Sequence, residues 1–373
     1  MKKIINLVMY FIAIILIVLI VWFGFFLYQE FFTDNSEPII YTVDKIFTEE
    51  PYEEKNIVNE NVSISIAETI QTNSIQNNIK IEDNSTSYGF FYNQLNNNQK
   101  IIYDGLMKNK QYLKQGNYVI NFKNTFSSLL STENGADILG NDYQSAIEAF
   151  TYDNVDVFYL DVNKMYLNIE TSTKFFKTTY NVYISAGNNT NYLSKEFQTT
   201  EKIEKAFLEI EKEKENILSH LNGTEYQNIL YIHDYLINHI DYDSTYQSIG
   251  SYNIYGSLIE KKCVCEGYAK AFKYLANCAG YSCELMQGRA INSSGKSENH
   301  MWNCIKMNGK WYEVDVTWDD PIIIGGNGRL SNEYKYRYFL KGTNIFDKDH
   351  FLEYQFSENG KTFIYPDINI ENY

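Results

Sequence analysis

The most regular pattern of apolar positions is a continuous run at the amino terminus. Lys2 and Lys3 precede residues 4–29, which carry no charge and are almost wholly apolar. A helix needs roughly 20 such residues to span a bilayer, whereas a cleaved signal peptide has an apolar core of about 7–15 residues and a cleavage site of small residues. No such site follows Trp22. The pattern therefore predicts a transmembrane signal anchor over residues 1–32.

The two lysines also predict the topology, because basic residues favour the cytoplasmic side of a membrane. We expect a single-pass protein of the cell membrane, with a cytoplasmic amino terminus and the rest of the chain extracellular. Residues 33–88 are rich in Asn, Glu, Ser and Thr with weak periodicity, which indicates an extracellular stalk or linker. Val62–Ile66 alternates like a strand but has no evident partner, so no stable strand is expected there.

Residues 89–200 show the periodicities of a small, mixed α/β region. Helices are expected at 95–106 and 143–150, and strands at 118–122, 157–160 and 178–184. About 110 residues are enough for a small domain. The region is thus either a separate, substrate-recruiting domain or an extension of the core that follows.

Residues 201–373 predict an α+β domain, in which helices pack against an antiparallel sheet. A helical pair is expected at about 201–220 and 224–240. A further helix follows, because apolar residues recur at steps of three and four from Tyr268 to Ala279, and Gly280 closes the run.

Cys265 lies in or just before the first turn of that helix. There the unpaired backbone N–H groups and the positive end of the helix dipole favour a thiolate, which is the nucleophilic form of cysteine. A lone cysteine on a helix is usually an inert small hydrophobe, so a catalytic reading needs partners elsewhere in the chain.

Such partners lie on a predicted β-hairpin downstream. Asn308-Gly309 is a strong signal for a two-residue type I′ turn, which makes Met307 face Lys310. Counting outward from the turn puts Trp302 opposite Asp315. His300 shares the face of Trp302, so His300 and Asp315 become diagonal neighbours within hydrogen-bonding reach.

These residues resemble the transglutaminase-like superfamily of papain-type thiol enzymes. The resemblance rests on Cys-Glu-Gly-Tyr-Ala at 265–269, His-Met-Trp-Asn at 300–303 and Asn-Gly-Lys-Trp-Tyr-Glu-Val-Asp-Val-Thr-Trp-Asp-Asp-Pro at 308–321, and it covers about residues 200 to 355. It implies a papain-like core with Cys265 as nucleophile, His300 as base and Asp315 as the group that orients His300. No cofactor and no metal are expected.

The oxyanion of an acyl-transfer step needs hydrogen-bond donors, and the backbone N–H of Cys265 is one by position. Animal transglutaminases add an indole from a tryptophan upstream of the cysteine, whereas none of the tryptophans here, Trp22, Trp302, Trp311 and Trp318, lies just upstream of Cys265. Tyr252 and Tyr255 are the candidate replacements. Trp302 and Trp311 share the predicted face of the triad, where they either shield the site or belong to the core.

Other residues have simpler readings. His233 falls on an apolar helical stripe and is expected to pack or to make a structural hydrogen bond, and His350 is also expected to be structural. Asp320 is the fallback carboxylate if the hairpin register is wrong. The chain has five cysteines, so pairing of the four besides Cys265 stays open, and their spacing lacks the usual knuckles of a zinc site.

The composition of the chain limits the classes of molecule that it is expected to bind. The formal net charge of −15 argues against nucleic acid and is compatible with basic protein substrates. The many Asn, Ile, Lys and Tyr residues are typical of an AT-rich bacterial genome. The leading hypothesis is an anchored extracellular enzyme that acts on protein or peptide amides, with cell-wall or surface proteins as substrates. The alternatives are a cysteine peptidase or amidase on the same triad, and a catalytically silent surface scaffold.

Overall fold

The amino-terminal helix is the first element of the computed structural model, which describes residues 2–32, 38–43, 89–174, 177–248, 250–292, 294–320, 332–357 and 360–373. Helix α1 spans Lys2–Phe32. Its segment Met9–Tyr28 has a mean hydropathy of 2.9 and is long and apolar enough to cross a membrane. The predicted apolar helix is confirmed, whereas Val62–Ile66 lies outside the described residues.

The region before residue 200 contains a first antiparallel sheet. Its strands are β1 (Ile39–Thr42), β2 (Ile120–Lys123), β3 (Tyr166–Lys174) and β4 (Lys177–Ser185), in the order β1-β3-β4-β2. Helices α2 (Asn97–Leu113) and α4 (Gly135–Asp153) pack together beside it, and a short helix α3 (Ser127–Leu130) joins them. Strand β1 belongs to the stretch predicted as a stalk, so part of that stretch is an edge strand of this sheet.

One predicted strand of this region is wrong. Residues 157–160 form turns, with hydrogen bonds from the N–H of Val157 to Asn154 and from the N–H of Leu160 to Val157. Leu160 alone makes a bridge, to Leu193. The run is apolar because it is largely buried, and a short buried apolar run does not by itself distinguish a strand from an irregular core segment.

The second antiparallel sheet positions the candidate catalytic residues His300 and Asp315. Its strands are β7 (Cys283–Ile291), β8 (Ser297–Met307), β9 (Lys310–Val314) and β10 (His350–Leu352), in the order β10-β7-β8-β9. The helices of this part are α5 (Thr200–Leu218), α6 (Glu225–His239), α7 (Cys265–Cys278), α8 (Asn332–Lys335) and α9 (Thr343–Phe346). Strands β5 (Asp241–Tyr242) and β6 (Lys262–Cys263) pair in parallel. The fold is α+β, as predicted.

Helix α7 follows from its sequence. Val264 is extended and precedes the first turn, and Tyr268, Phe272 and Leu275 are buried on the apolar face. Gly280 has φ +89°, a left-handed conformation that favours glycine after a helix end. Helix α7 packs against α6 and against β7 and β8, so it lies on the two central strands of the sheet.

The hairpin of β8 and β9 has the predicted turn and register. Asn308 and Gly309 have φ values of +49° and +77°, as a type I′ turn requires. Met307 pairs with Lys310, and the ladder continues to Asn303 and Val314. The residues that follow, Trp302 and Asp315, therefore lie opposite each other.

The two sheets belong to parts of the chain that share one hydrophobic core. The buried Tyr152 hydroxyl at the end of α4 donates to Gln287 Oε1 on β7 at 2.6 Å. The Nζ atom of Lys273 on α7 lies 5.8 Å from the ring centre of Phe91. Residues before 200 are thus packed against the helix that begins at Cys265.

Candidate active site

Cys265 is the first residue of α7, and its side chain is fully buried. The first helical hydrogen bond runs from the N–H of Tyr268 to Val264, so the N–H groups of the first turn point away from the helix body. The same turn is tightly packed, because a Cβ added to Gly267 would lie 2.5 Å from Cys263 Cβ and 2.8 Å from the Ser251 carbonyl oxygen. The backbone around the cysteine is therefore held rigidly.

His300 and Asp315 meet as the hairpin register predicts. His300 Nε2 lies 2.7 Å from Asp315 Oδ2, and both side chains are buried. Because Asp315 occupies Nε2, the other ring nitrogen, Nδ1, is the one left to exchange a proton with a reacting group. This is the orientation that a carboxylate imposes on a general base.

The helix and the hairpin are joined next to these residues. Asn303 lies three residues after His300 on β8, and its Nδ2 donates to the carbonyl oxygen of Ala269 at 2.9 Å. Ala269 is about one turn after Cys265 on α7. Near the other end of α7, Asn277 Oδ1 accepts from the N–H of Cys283, which pairs with Ile305 further along β8. Helix α7 and strand β8 therefore run in the same direction, so Cys265 and His300 lie toward the same end of the contact between helix and sheet.

Asp315 is an anion with all of its acceptor positions engaged. Its Oδ2 also lies 3.1 Å from His350 Nε2, and its Oδ1 accepts from the N–H groups of Thr317 at 3.0 Å and Trp318 at 3.2 Å. Burial alone would raise the pKa of Asp315, but the charge and hydrogen bond of His300 and the hydrogen bond of His350 lower it well below its usual value. The carboxylate can therefore hold a protonated base.

His350 enters the site from β10, which the sequence reading did not anticipate. It contacts Asp315 as above and Asp349 through Nδ1, 2.8 Å from Oδ1. Burial alone would lower the pKa of His350, yet hydrogen bonds to Asp315 and Asp349 raise it to about 9. Its separation from Asp315 by 35 residues gave no periodic signal, and only its place in the Asp349-His350 segment could have pointed to it.

Of the two tryptophans predicted to line the site, one lies next to His300 and the other lies away from the site. Trp302 lies at 6.1 Å from the His300 ring, and its Nε1 donates to Glu313 at 2.9 Å. Trp311 lies roughly 13 Å from Asp315 along the strand and pairs instead with Ile368. Sharing a face of a sheet thus does not place Trp311 at the site.

Trp318 takes the place that was expected of Trp311. Its ring lies 5.1 Å from His300 and 4.7 Å from His350. The sequence does not predict this position for Trp318, because the residue follows the hairpin in a turn whose direction the strand pattern does not determine.

The two candidate oxyanion tyrosines lie upstream of α7. The Tyr255 hydroxyl donates to Glu209 at 3.2 Å, and burial together with that carboxylate raises the pKa of Tyr255 to about 12. The carbonyl oxygen of Tyr252 accepts from Lys270 Nζ at 3.2 Å, and its side chain lines a cavity of about 690 Å³ with Glu266. The one hydroxyl proton of Tyr255 is thus committed to Glu209.

We therefore expect Tyr255→Phe to leave turnover within about twofold of wild type while lowering the free energy of unfolding by about 1 kcal/mol, the net value of one hydrogen bond. Steady-state kinetics and chemical denaturation measure the two effects. Tyr252→Phe is the matched comparison. A tenfold fall in kcat for Tyr255→Phe without loss of stability would restore Tyr255 as an oxyanion donor.

The remaining candidates have structural partners. His233 Nε2 lies 3.1 Å from Asp319 Oδ2 in the interior, as expected for a structural hydrogen bond. Asp320 accepts from the Tyr268 hydroxyl at 2.7 Å, and His300 pairs with Asp315 and not with this fallback. None of the five cysteines, all within the described chain, is in a disulfide.

His300, Asp315 and His350 are also a cluster whose ligand atoms lie within 4.8 Å of one another, close enough to be considered for a metal ion. Two donors of a tetrahedral zinc site with bonds of about 2.0 Å lie about 3.3 Å apart. The observed distances to Asp315, 2.7 and 3.1 Å, are shorter and match hydrogen bonds. The donor set therefore fits a hydrogen-bonded chain better than a metal centre.

A cavity of about 750 Å³ opens beside His300. Trp318 and Tyr338 line it, together with the carboxylates of Glu298 and Asp320. Tyr246 lines both this cavity and the one of about 690 Å³ that includes Glu266, the residue after Cys265. Tyr246 thus lies between the cavity that includes Glu266 and the cavity that includes His300.

Comparison with known proteins agrees with this geometry. Residues 215–316 match the family model of the transglutaminase-like superfamily, and they include Cys265, His300 and Asp315. Kyphoscoliosis peptidase of Mus musculus is 27% identical over 127 residues, which cover 31% of this chain and 19% of the relative. The Homo sapiens protein of the same name is 26% identical over 138 residues, which cover 34% and 21%.

The chain thus spans about a fifth of the length of these curated relatives. Among solved structures, a crystal structure of a TGase is 18% identical with a TM-score of 0.28, covering 46% of this chain and 48% of that chain. The family match coincides with the helix start and the hairpin that position the candidate residues. The protein therefore carries a transglutaminase-like domain.

Proposed function

We propose that this protein is a membrane-anchored thiol enzyme that acts on protein or peptide amides. The observation that carries the proposal is the buried His300–Asp315 pair at 2.7 Å, at the end of the sheet where α7 begins with Cys265. A nucleophile at a helix start, a base oriented by a carboxylate and a rigid supporting backbone are the parts that nucleophilic acyl transfer requires.

In the first step the Cys265 thiolate attacks the amide carbonyl carbon. The carbon–nitrogen bond breaks, and protonated His300 transfers its Nδ1 proton to the departing amine, which leaves an acyl thioester on Cys265. In the second step a primary amine or water attacks the thioester and passes its proton to His300, which regenerates the thiolate. Amine gives transamidation, and water gives deamidation or peptide hydrolysis.

The cavities support a polymeric substrate. One cavity is lined by His300 and Trp318, the other by Glu266, the residue after Cys265, and an extended chain could occupy both. The carboxylates and aromatic rings of the His300-side cavity suit a cationic or amide-bearing chain. The apolar helix α1 would anchor the enzyme at the extracellular face of the cell membrane, with cell-wall or surface proteins within reach.

A cysteine peptidase is the second candidate, because both curated relatives described above are named kyphoscoliosis peptidase. The same thioester would form, and the departing group would be the amino end of a cleaved chain. The product, and not the triad, distinguishes the two reactions.

Product analysis tests both. The full chain in detergent, wild type and Cys265→Ala, is incubated with a glutamine-containing protein and a labelled primary amine, and the products are read by intact-mass spectrometry. Label uptake by wild type alone indicates transamidation. Conversion of amide to acid without label indicates deamidation, and backbone fragments indicate a peptidase. No product, with Cys265 also unreactive to iodoacetamide, would leave only a silent scaffold.

A further inference from the structure

We propose that His350 is a positioning residue for the thiol chemistry, a buried cation that orients Asp315 and sets the upper pH limit at which His300 serves Cys265. The inference rests on the proposed function and deepens it. The match to the family model ends at residue 316, so it does not include His350.

Both ring nitrogens of His350 face carboxylates. Nε2 lies 3.1 Å from Asp315 Oδ2, and Nδ1 lies 2.8 Å from Asp349 Oδ1. A neutral imidazole donates from one nitrogen only, so its other lone pair would point at a carboxylate oxygen. The protonated ring donates to both oxygens, and it is the form that this arrangement stabilises.

The ring is also fixed in place. It is 4% exposed, and its centre lies 4.6 Å from Phe346, 4.7 Å from Trp318 and 5.1 Å from Trp302. These rings come from three different segments of the fold. His350 cannot turn away from Asp315 without displacing them, so it acts as a rigid donor.

Asp315 Oδ2 is the atom that His300 and His350 share. The ring centres of the two histidines are 5.6 Å apart, so a cation on His350 opposes a second positive charge on His300. It also takes part of the hydrogen-bonding capacity of Oδ2. The protonation state of His350 therefore changes the charge and the hydrogen bonding at the carboxylate that holds His300.

Other charged groups act on His350 from each neighbouring element. Glu313 on β9 is buried, which raises its pKa to about 7, although it accepts a hydrogen bond from Trp302. Asp349 on the adjoining segment also accepts from the Tyr338 hydroxyl at 2.6 Å and lies 3.6 Å from Arg337. Asp315 and Asp349 are thus the anions in direct contact with the ring.

The test uses the full chain in detergent as wild type, His350→Gln and Asp349→Asn. Gln keeps a neutral donor toward Asp315 and removes the charge. Asp349→Asn keeps His350 and removes one of its two anions. For each protein, the rate of Cys265 alkylation by iodoacetamide and kcat/KM are measured from pH 5 to 10.

We expect the wild-type profile to change near pH 9, where His350 loses its proton. In Asp349→Asn this change moves to lower pH by about one unit, and in His350→Gln it disappears and kcat falls roughly tenfold with little change in KM. A shift of the pH-dependent change in one variant and its loss in the other do not arise from a merely structural role.

Superimposable profiles for all three proteins, each folded by circular dichroism, would overturn the inference alone. A wild-type Cys265 that is alkylated no faster than a free thiol, and whose loss in Cys265→Ala changes no activity, would instead overturn the proposed function. If His350→Gln fails to fold, the pH profile of Asp349→Asn tests the proposal alone. A change that stays near pH 9 in that variant would contradict the proposal.

Discussion

Replacing Cys265 with alanine is expected to abolish turnover, with kcat/KM lowered at least about 10⁴-fold. The effect is large because the thioester forms on this sulfur. Alanine keeps the helix and removes only the sulfur from a fully buried position. Progress curves of product formation measure the loss, and intact-mass spectrometry measures the missing acyl-enzyme.

Cys278→Ala is the matched control. Cys278 is the last residue of the same helix α7, it is exposed, and it lies at the opposite end from the site. We expect its loss to leave kcat/KM within about twofold of wild type, as for a surface substitution. An equal loss of activity in both variants would mean that the effect came from the helix or from general thiol damage, and Cys265 would lose its assignment as nucleophile.

The second large effect is expected for Asp315→Asn, which should lower kcat roughly 10³–10⁴-fold with a smaller change in KM. Asparagine has nearly the same shape but no charge, so it neither stabilises protonated His300 nor holds its tautomer. The contact to His350 is weakened as well, because both histidines bond to Asp315 Oδ2. Steady-state kinetics at pH 7 give the two parameters.

The same variant has a predicted pH signature in stability. The pKa of folded Asp315 is lowered, so its contribution is fully present above its unfolded pKa, about 4, and is lost as pH falls below that value. Removing one partner of a buried charge pair costs on the order of 3 kcal/mol. The difference in unfolding free energy between wild type and Asp315→Asn should therefore be largest above pH 5 and shrink toward pH 3.

Asp347→Asn serves as the control, because Asp347 is an exposed carboxylate on the segment that leads to His350. We expect near-wild-type kinetics and stability for it. A difference between wild type and Asp315→Asn that stays constant from pH 7 to pH 3 would contradict a stabilising charge on Asp315, and unchanged kcat would remove its role as the orienter of His300.

These predictions rest on features that could be read from the sequence to different degrees. The contact between His300 and Asp315 was predictable because a two-residue Asn308-Gly309 turn leaves a single register, and register with alternation determines which side chains meet. The position of Cys265 at a helix start was predictable for a similar reason, since the apolar period and Gly280 mark both ends of α7.

Contacts between residues of different helices, strands or loops were harder to predict from the sequence. Tyr255 was a reasonable donor by its distance along the chain from Cys265, but the fold turns its hydroxyl to Glu209 on α5. Trp311 shares the face of Asp315, yet it lies too far along the strand to reach the site. Trp318 and the turns at 157–160 depend on how loops pack, which periodicity does not describe.

The sequence by itself determined the apolar helix α1, the start of α7 and the pairing of β8 with β9, because each depends on local periodicity, turn chemistry and helix ends. Only the tertiary structure decided that β10 pairs beside β7 and brings His350 to Asp315. The physical reason is that hydrogen bonds within a helix or a tight hairpin join near neighbours in the chain. The order of strands in a sheet is instead selected by the packing of the whole core.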